Sequence, residues 1–323
     1  MSTDASRCKP LHQVSPGSSC QSDQVLDSFA NHAHPLLVRL QELINTWPGR
    51  LRTRFIDRIL NEFHSTSTIF APFTHVRKVA FFGSSRVQPD HEEYGLALSL
   101  AGQFVDNGFM VITGAGPGIM AAAQKGSGRA NGFGLRIVLP FHNPCNETIA
   151  NDAKMAEYDY YFTRKISFVW ESDAFVVFPG GFGTLDETFE VITMMQTGKT
   201  DIVPLVFVER PGGSFWEGCL RFFEQYMVKE GYLSSHELGL FTICKQPEHA
   251  LEHIKRFYAN YHSCRWQDDE LAIYIRKELT AEALADLSQR FASLLGVGTL
   301  QQSPCFFQAD KPIGLNPYCI KPG

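Results

Sequence analysis

The chain is predicted to be an α/β protein: a doubly wound parallel sheet with an N-terminal helical extension and a C-terminal α/β extension. Short apolar runs recur between helical stretches, which is the pattern of strands buried on both faces of a parallel sheet. They are Val79-Ala-Phe-Phe82, Phe109-Met-Val-Ile-Thr113, Leu135-Arg-Ile-Val-Leu139, Ala174-Phe-Val-Val-Phe178 and Val203-Pro-Leu-Val-Phe207. Three of the runs, those ending at Phe82, Thr113 and Phe178, lead straight into glycine-bearing turns. In doubly wound sheets ligands sit at the carboxyl ends of strands, where such turns gather. The third observation is size: 323 residues suffice for one large α/β domain with appendages.

Residues 1–34, rich in Ser, Asp, Gln and Pro, read as a disordered segment. Leu36–Ile44 and Leu51–Leu60 have helical periodicity on either side of Pro48-Gly49, and predict a helical arm over 35–72 that Phe70-Ala-Pro-Phe73 ends. The central domain, 73–262, opens with the strand at Val79. Pro89-Asp90 starts a helix to about Asp106, closed by Asn107-Gly108. After the second strand comes Gly114-Ala-Gly-Pro-Gly118 and a helix to about Ala130, stopped by Asn131-Gly132. Ile166–Glu171 reads as a helix before the strand at 174–178, and Glu190–Thr197 as a helix closed by Gly198. Trp216–Lys229 and Pro247–Tyr261 are predicted helices. In the accessory segment, 263–323, Leu271–Ile275 suggests a strand and Ala281–Leu294 a helix. Residues 297–323 carry Pro, Gly and aromatics without a period and give no functional reading.

A net charge of −5 makes no electrostatic case for nucleic acid or a membrane surface. No apolar run approaches the ~20 residues that span a bilayer, and the N-terminus lacks a basic-then-apolar signal pattern. Eight scattered cysteines without a C-x-x-C pair argue against a zinc site or a disulfide framework. A cytoplasmic protein is expected.

The densest signal is Pro179-Gly-Gly-Phe-Gly-Thr-Leu-Asp-Glu187. A glycine-rich turn between a strand and a helix presents backbone N–H groups at the positive end of the helix dipole, an anion site most often used for phosphate. An acid one turn further, Glu187, weakens anion binding unless it grips a sugar or assists bond cleavage. Thr184-Leu-Asp-Glu187 also reads as a capping box, with Thr184 at the N-cap. Three glycines within four residues favour the ligand reading, because a cap does not need them and close approach of a ligand does.

Thr113-Gly-Ala-Gly-Pro-Gly118 has a dinucleotide-binding turn as its rival. Its spacing is G-x-G-x-G, and the next strand ends Leu139-Pro-Phe-His-Asn143 without the acid that would hold a ribose. Arg164-Lys165 falls at a predicted helix start, where cations oppose the dipole and an anionic ligand would neutralise them. A solvated basic pair is the plainer alternative. Gly83-Ser-Ser-Arg86 offers hydroxyl and guanidinium groups to the same end of the sheet, or is a simple turn. His249 and His253 have metal-ligand spacing on a helix, but Ala250 stands where a zinc protease places its Glu, so no metal site is inferred.

The P-G-G-x-G-T-x-x-E stretch at 179–187, the turn at 113–120 and Phe162-Thr-Arg-Lys165, in that family's order, resemble the LOG ("Lonely Guy") proteins over roughly residues 76–260. The extensions on both sides are most similar to the longer bacterial and cyanobacterial members. The resemblance implies a Rossmann-like phosphoribohydrolase rather than the lysine decarboxylase of the family's older label. Pyridoxal-dependent decarboxylases of that kind usually carry a His-Lys pair, and no Lys here directly follows a His. The implied reaction hydrolyses the N-glycosidic bond of a purine nucleoside 5′-monophosphate, with AMP, GMP or an N6-modified, cytokinin-type adenine as base. Glu187 and Arg164 are the implied catalytic residues. Lys165, Gly180, Gly181, Phe182, Gly183, Thr184, Thr193, Gly114 and Gly116 are the implied substrate contacts, with Asn146 or Glu147 as a further one. No cofactor is implied, and a homodimer or higher homo-oligomer is. A nucleotide-binding module without turnover would use the same turns.

Overall fold

The computed structural model describes residues 35, 37–46, 50–141, 144–267, 270–292, 295, 300–304 and 318–322. The expectation of disorder for 1–34 lies outside these residues. Helix α1 covers 37–46, and α2 runs Arg50–Phe70. The chain divides into two compact units, Met1–Arg58 and Ile59–Gly323, with the division inside α2.

The larger unit holds a seven-stranded parallel sheet. Its strands are β1 (Lys78–Phe82), β2 (Met110–Thr113), β3 (Gly132–Ile137), β4 (Met155–Tyr158), β5 (Ala174–Val177), β6 (Leu205–Val208) and β7 (Thr242–Cys244), in the order β4-β3-β2-β1-β5-β6-β7. The five strand runs read from the sequence form the middle. The two edges, β4 and β7, were not anticipated: Met-Ala-Glu-Tyr and Thr-Ile-Cys are too short and too mixed to stand out as apolar runs.

Alternation along each strand divides the core between two faces. Val79 and Phe81 pack with Val111, Val176 and Val206 under α3 (Glu92–Asp106), α4 (Ile119–Asn131) and α8 (Pro247–Phe257). Ala80 and Phe82 face the other way, with Ile112, Phe175 and Phe207. The end of α2, α5 (Tyr161–Glu171), α6 (Phe182–Gln196) and α7 (Phe215–Phe222) cover that face through Phe70, Phe168, Val191 and Trp216. The architecture is the predicted doubly wound sheet. From β1 the chain steps out through β2 and β3 to β4, then returns to β5 on the other side of β1. The switch point between β1 and β5 is where such folds open a crevice.

Several helix boundaries differ from expectation. The Trp216–Lys229 stretch becomes α7 and then a π-helical turn over Phe223–Val228. The α8 helix ends at Phe257, and Tyr261, expected inside it, begins strand β8 (Tyr261–Gln267). Helix α5 starts five residues earlier than Ile166. The C-terminal segment forms a second sheet, antiparallel, in the order β10-β11-β9-β8. Its other strands are β9 (Glu270–Ile275), β10 (Leu300–Pro304) and β11 (Tyr318–Pro322), with α9 (Ala281–Arg290) between β9 and β10.

Candidate active site

The glycine-rich turns after β1, β2 and β5 all leave the sheet at its carboxyl end. The Ser84 N–H donates to the Pro179 carbonyl at 3.1 Å, and the Ile119 N–H donates to the Ser84 carbonyl at 3.1 Å. The turn after β1 therefore joins the other two by backbone bonds.

Helix α6 begins at Phe182 with Gly181 as N-cap and, among the described residues, no side chain capping it. This overturns the capping-box reading of Thr184 and Glu187. Thr184 is the third residue of the helix and buried, and Glu187 lies three residues further in. The first intrahelical bond from this end is Leu185 N–H to the Gly181 carbonyl. The amides ahead of it point out of the helix end, as an anion site requires. The surroundings are open. Methyl groups at Gly181 or Gly183 would meet no described atom within 4 Å, and Phe182 is 93% exposed. At Gly180 a methyl would strike Thr184 and the Ser84 nitrogen, so the closeness of two backbones requires that glycine.

Behind this end lies a buried ion pair. Arg164 of α5 donates through Nη2 to Glu187 Oε1, the two residues being 8% and 9% exposed. The Arg164 guanidinium lies 5.5 Å from the Tyr161 ring and 5.7 Å from the Phe168 ring. Its Nε is buried and has no hydrogen-bond partner among the described residues. Burial pushes the Glu187 carboxyl above the ordinary carboxylate value, and the neighbouring Arg164 charge opposes this without cancelling it. Breaking such a pair by removing one partner typically costs ~3–5 kcal/mol.

Lys165 turns to the outer side of the same helix pair. Its Nζ donates to Asp186 at 2.6 Å and to Glu190 at 3.4 Å. Burial works against the Lys165 charge, but the two carboxylates outweigh it and hold its pKa above the ordinary value. The cations that were expected to await an anion are thus already matched by carboxylates of α6. Asp186 and Glu190 were not singled out from the sequence. Their spacing of four places both on one helix face, but nothing local says that α5 lies opposite.

The first glycine-rich turn is close by and closed. A methyl at Gly114 would lie 2.8 Å from Met120 Sδ and 3.9 Å from Arg164 Nη1, which sets this turn beside the ion pair. At Gly116 it would lie 2.7 Å from Met120 Cε. Gly118 has φ +68°, and a methyl there would overlap the Ser84 carbonyl. Ala115 sits in the left-handed region at φ 59°, its N–H held by Thr113 Oγ1 at 3.1 Å.

Asn146 donates to the Gly116 carbonyl at 3.2 Å and ties the following loop to this turn, while Glu147 is exposed. Thr193 is exposed on α6, about 9 Å along the axis from Glu187 and about 240° around it, so the helix does not bring it to the ion pair. The His249/His253 pair lies on α8, where His253 meets Thr242 at 3.4 Å. Among the described residues no group of three or more His, Cys, Asp or Glu is placed to hold a metal ion. Among them, too, no helix is long and apolar enough to cross a membrane.

A family model described as "Possible lysine decarboxylase" matches residues 118–254. The cytokinin riboside 5′-monophosphate phosphoribohydrolase of Mycobacterium tuberculosis (strain ATCC 25618 / H37Rv) is 31% identical over 165 residues, 50% of this chain and 86% of that protein. The chain belongs to the LOG family. A second LOG relative, the cytokinin riboside 5′-monophosphate phosphoribohydrolase LOG2 of Arabidopsis thaliana, is 29% identical over 164 residues, 49% of this chain and 73% of that one. Among solved structures, the molybdenum cofactor binding protein of Rippkaea orientalis aligns with 56% of this LOG chain and 97% of its own, at 18% identity and a TM-score of 0.41. The family model's match runs from the start of α4 into α8.

Proposed function

We propose that this protein hydrolyses the N-glycosidic bond of a purine nucleoside 5′-monophosphate, releasing free base and ribose 5-phosphate. One observation carries the reading: a buried Arg–Glu pair behind an open helix N-terminus that has no side-chain cap among the described residues, at the switch point of the sheet. The phosphate binds the amides of Gly181, Phe182, Gly183 and Thr184, with Gly180 and the Gly114–Gly116 turn shaping the floor. Held there, it fixes the ribose over Glu187. As C1′–N9 lengthens, positive charge builds on the ribose ring. The Glu187 carboxylate offsets that charge and accepts a proton from the water that attacks C1′, and that proton is returned through solvent to the departing base.

Arg164 opposes the burial that raises the Glu187 pKa, and its buried Nε has no hydrogen-bond partner among the described residues. Lys165 takes part only by sharing its charge away from Asp186 and Glu190, which makes it an affinity residue. Thr193 reaches a ligand only from the exposed face of α6. The scheme needs no cofactor. A cytokinin-type, N6-modified adenine is the proposed base, carried over from the relatives' activity, as are a cytoplasmic location and a homodimer.

Incubating the purified chain with a panel of nucleoside monophosphates and following free base by chromatography tests the reading. Release from AMP or its N6-isopentenyl analogue is expected, with adenosine a far poorer substrate because it lacks the phosphate handle. Tight nucleotide binding with no base released would leave a binding module. Equal kcat/KM for adenosine and AMP would remove the phosphate site from the α6 end.

A further inference from the structure

Glu62 of α2 is buried at the end of α5 that leads to Arg164, and the scheme above does not use it. It is 3% exposed. One carboxylate oxygen accepts the Asp159 N–H at 2.7 Å, and the other accepts the Thr163 hydroxyl. One turn further along α2, the Thr66 hydroxyl meets the Tyr158 hydroxyl at 2.5 Å. The Phe63 ring lies 5.6 Å from that of Trp170. This half of α2 thus grips the bend, 158–163, from which α5 departs.

A buried carboxylate is disfavoured unless donors surround it, and an apolar side chain would fill the space without that penalty. The charge has a reason here. Helix α5 opens at Tyr160 without a side-chain cap of its own among the described residues. A helix N-terminus presents unmatched amides and favours negative charge. Glu62 supplies that charge from another helix.

The grip bears on Arg164 through the geometry of α5. Thr163 faces Glu62, and Ser167, one turn on, is buried beside Tyr158. Arg164 and Phe168 lie on the adjoining face, toward Glu187 and Phe82. A slip of one residue turns a helix by about 100° and moves it about 1.5 Å. Such a slip would take the guanidinium away from Glu187. We propose that Glu62 is a positioning residue for Arg164, fixing the register and rotation of α5 so that the guanidinium meets Glu187. The inference rests on the reading of Arg164 and Glu187 as the reacting pair. Glu62 is not a catalytic residue, since it touches neither of them.

The test uses the full chain carrying Glu62→Gln or Glu62→Asp, each alone and combined with Arg164→Lys. It reads kcat and KM for AMP together with amide hydrogen exchange. Glu62→Gln is expected to lower kcat by about tenfold or more with KM within about threefold. In the Arg164→Lys background the same change should cost little more, because both act at one place. Exchange of the 159–164 amides should quicken about tenfold while β1 and β5 keep their protection.

An unchanged kcat, losses that multiply in the double variant, or exchange that quickens equally in β1 and β5 would each overturn the proposal. If Glu62→Gln does not fold, Glu62→Asp carries the same comparison with the charge kept. Should the wild-type chain release no base from any nucleotide, the functional reading fails on its own. Hydrogen exchange at 159–164 then decides whether Glu62 sets the end of α5.

Discussion

The two glycine-rich turns beside the ion pair look alike in the sequence and differ in what surrounds them. After β2, Gly114 and Gly116 abut Met120, and Gly118 abuts the backbone of Ser84 and Ser85. The N-terminus of α4 is closed as well, since its first amide binds the Ser84 carbonyl. After β5, only Gly180 is pressed by neighbours, while Gly181 and Gly183 look onto open space and α6 lacks a cap among the described residues. Close approach of backbone requires glycine at Gly118 in the first turn and at Gly180 in the second. In the first turn the protein itself fills the remaining space. In the second, at Gly181 and Gly183, that space is left for something else. A count of glycines therefore does not distinguish a packed turn from a ligand cradle.

The largest expected effect tests the chemistry behind the open turn. Glu187→Gln should lower kcat by about 10²–10³ while nucleotide still binds. Wild-type turnover with only a lower Tm would make Glu187 a structural partner of Arg164. The pH profile sharpens this. The scheme needs Glu187 ionised, and burial raises its pKa, so kcat should fall as pH drops through a value above the ordinary carboxylate range. Arg164→Gln removes the opposing cation and should move that limb further up.

The next effect belongs to the closed turn. Gly118→Ala forces a methyl onto the Ser84 carbonyl at positive φ, and should cost about 2–5 kcal/mol by adding overpacking to left-handed strain. An unfolding free energy from urea titration within about 1 kcal/mol of wild type would show that this turn can open, and the contrast would fail.

Gly183→Ala should do the reverse. The site is open and helical, so stability should hold or rise by up to about 1 kcal/mol. KM for AMP should rise about tenfold as the methyl crowds a charge-assisted contact. An unchanged KM would take the ligand away from this turn.

The smallest effect concerns Ala115 at φ 59°. Ala115→Gly should relieve the strain and raise stability by up to about 1 kcal/mol, read as a higher Tm. A lower Tm would mean that the buried Ala115 methyl contributes more packing than the conformation costs.

The middle of the sheet was legible because strands buried on both faces must be apolar throughout, and Val79–Phe82 and Ala174–Phe178 announce themselves in that way. The edges were not. Met155–Tyr158 pairs on one side only and keeps Glu157 exposed, so no apolar run marks it. Gly108 and Gly198 ended helices where expected, at φ +82° and +65°, because only glycine takes that conformation freely. The reading of Thr184 as a cap failed because the helix starts three residues earlier, at Phe182 with Gly181 as its N-cap. A local pattern that suits two helix starts cannot choose between them when the preceding turn is anchored to Ser84, some hundred residues away in sequence.

By itself, the sequence determined the alternation of elements and the end of the sheet that carries the glycine turns. Those follow from apolar periodicity and the conformational demands of glycine, both of which act within a few residues. That Arg164 meets Glu187 was decided by the fold. Tertiary structure decided which turn stays open, that Lys165 is matched by Asp186 and Glu190, and that Glu62 grips the start of α5. Each of these depends on side chains brought together from distant elements, where burial raises the energy of an unmatched charge and packing selects its partner.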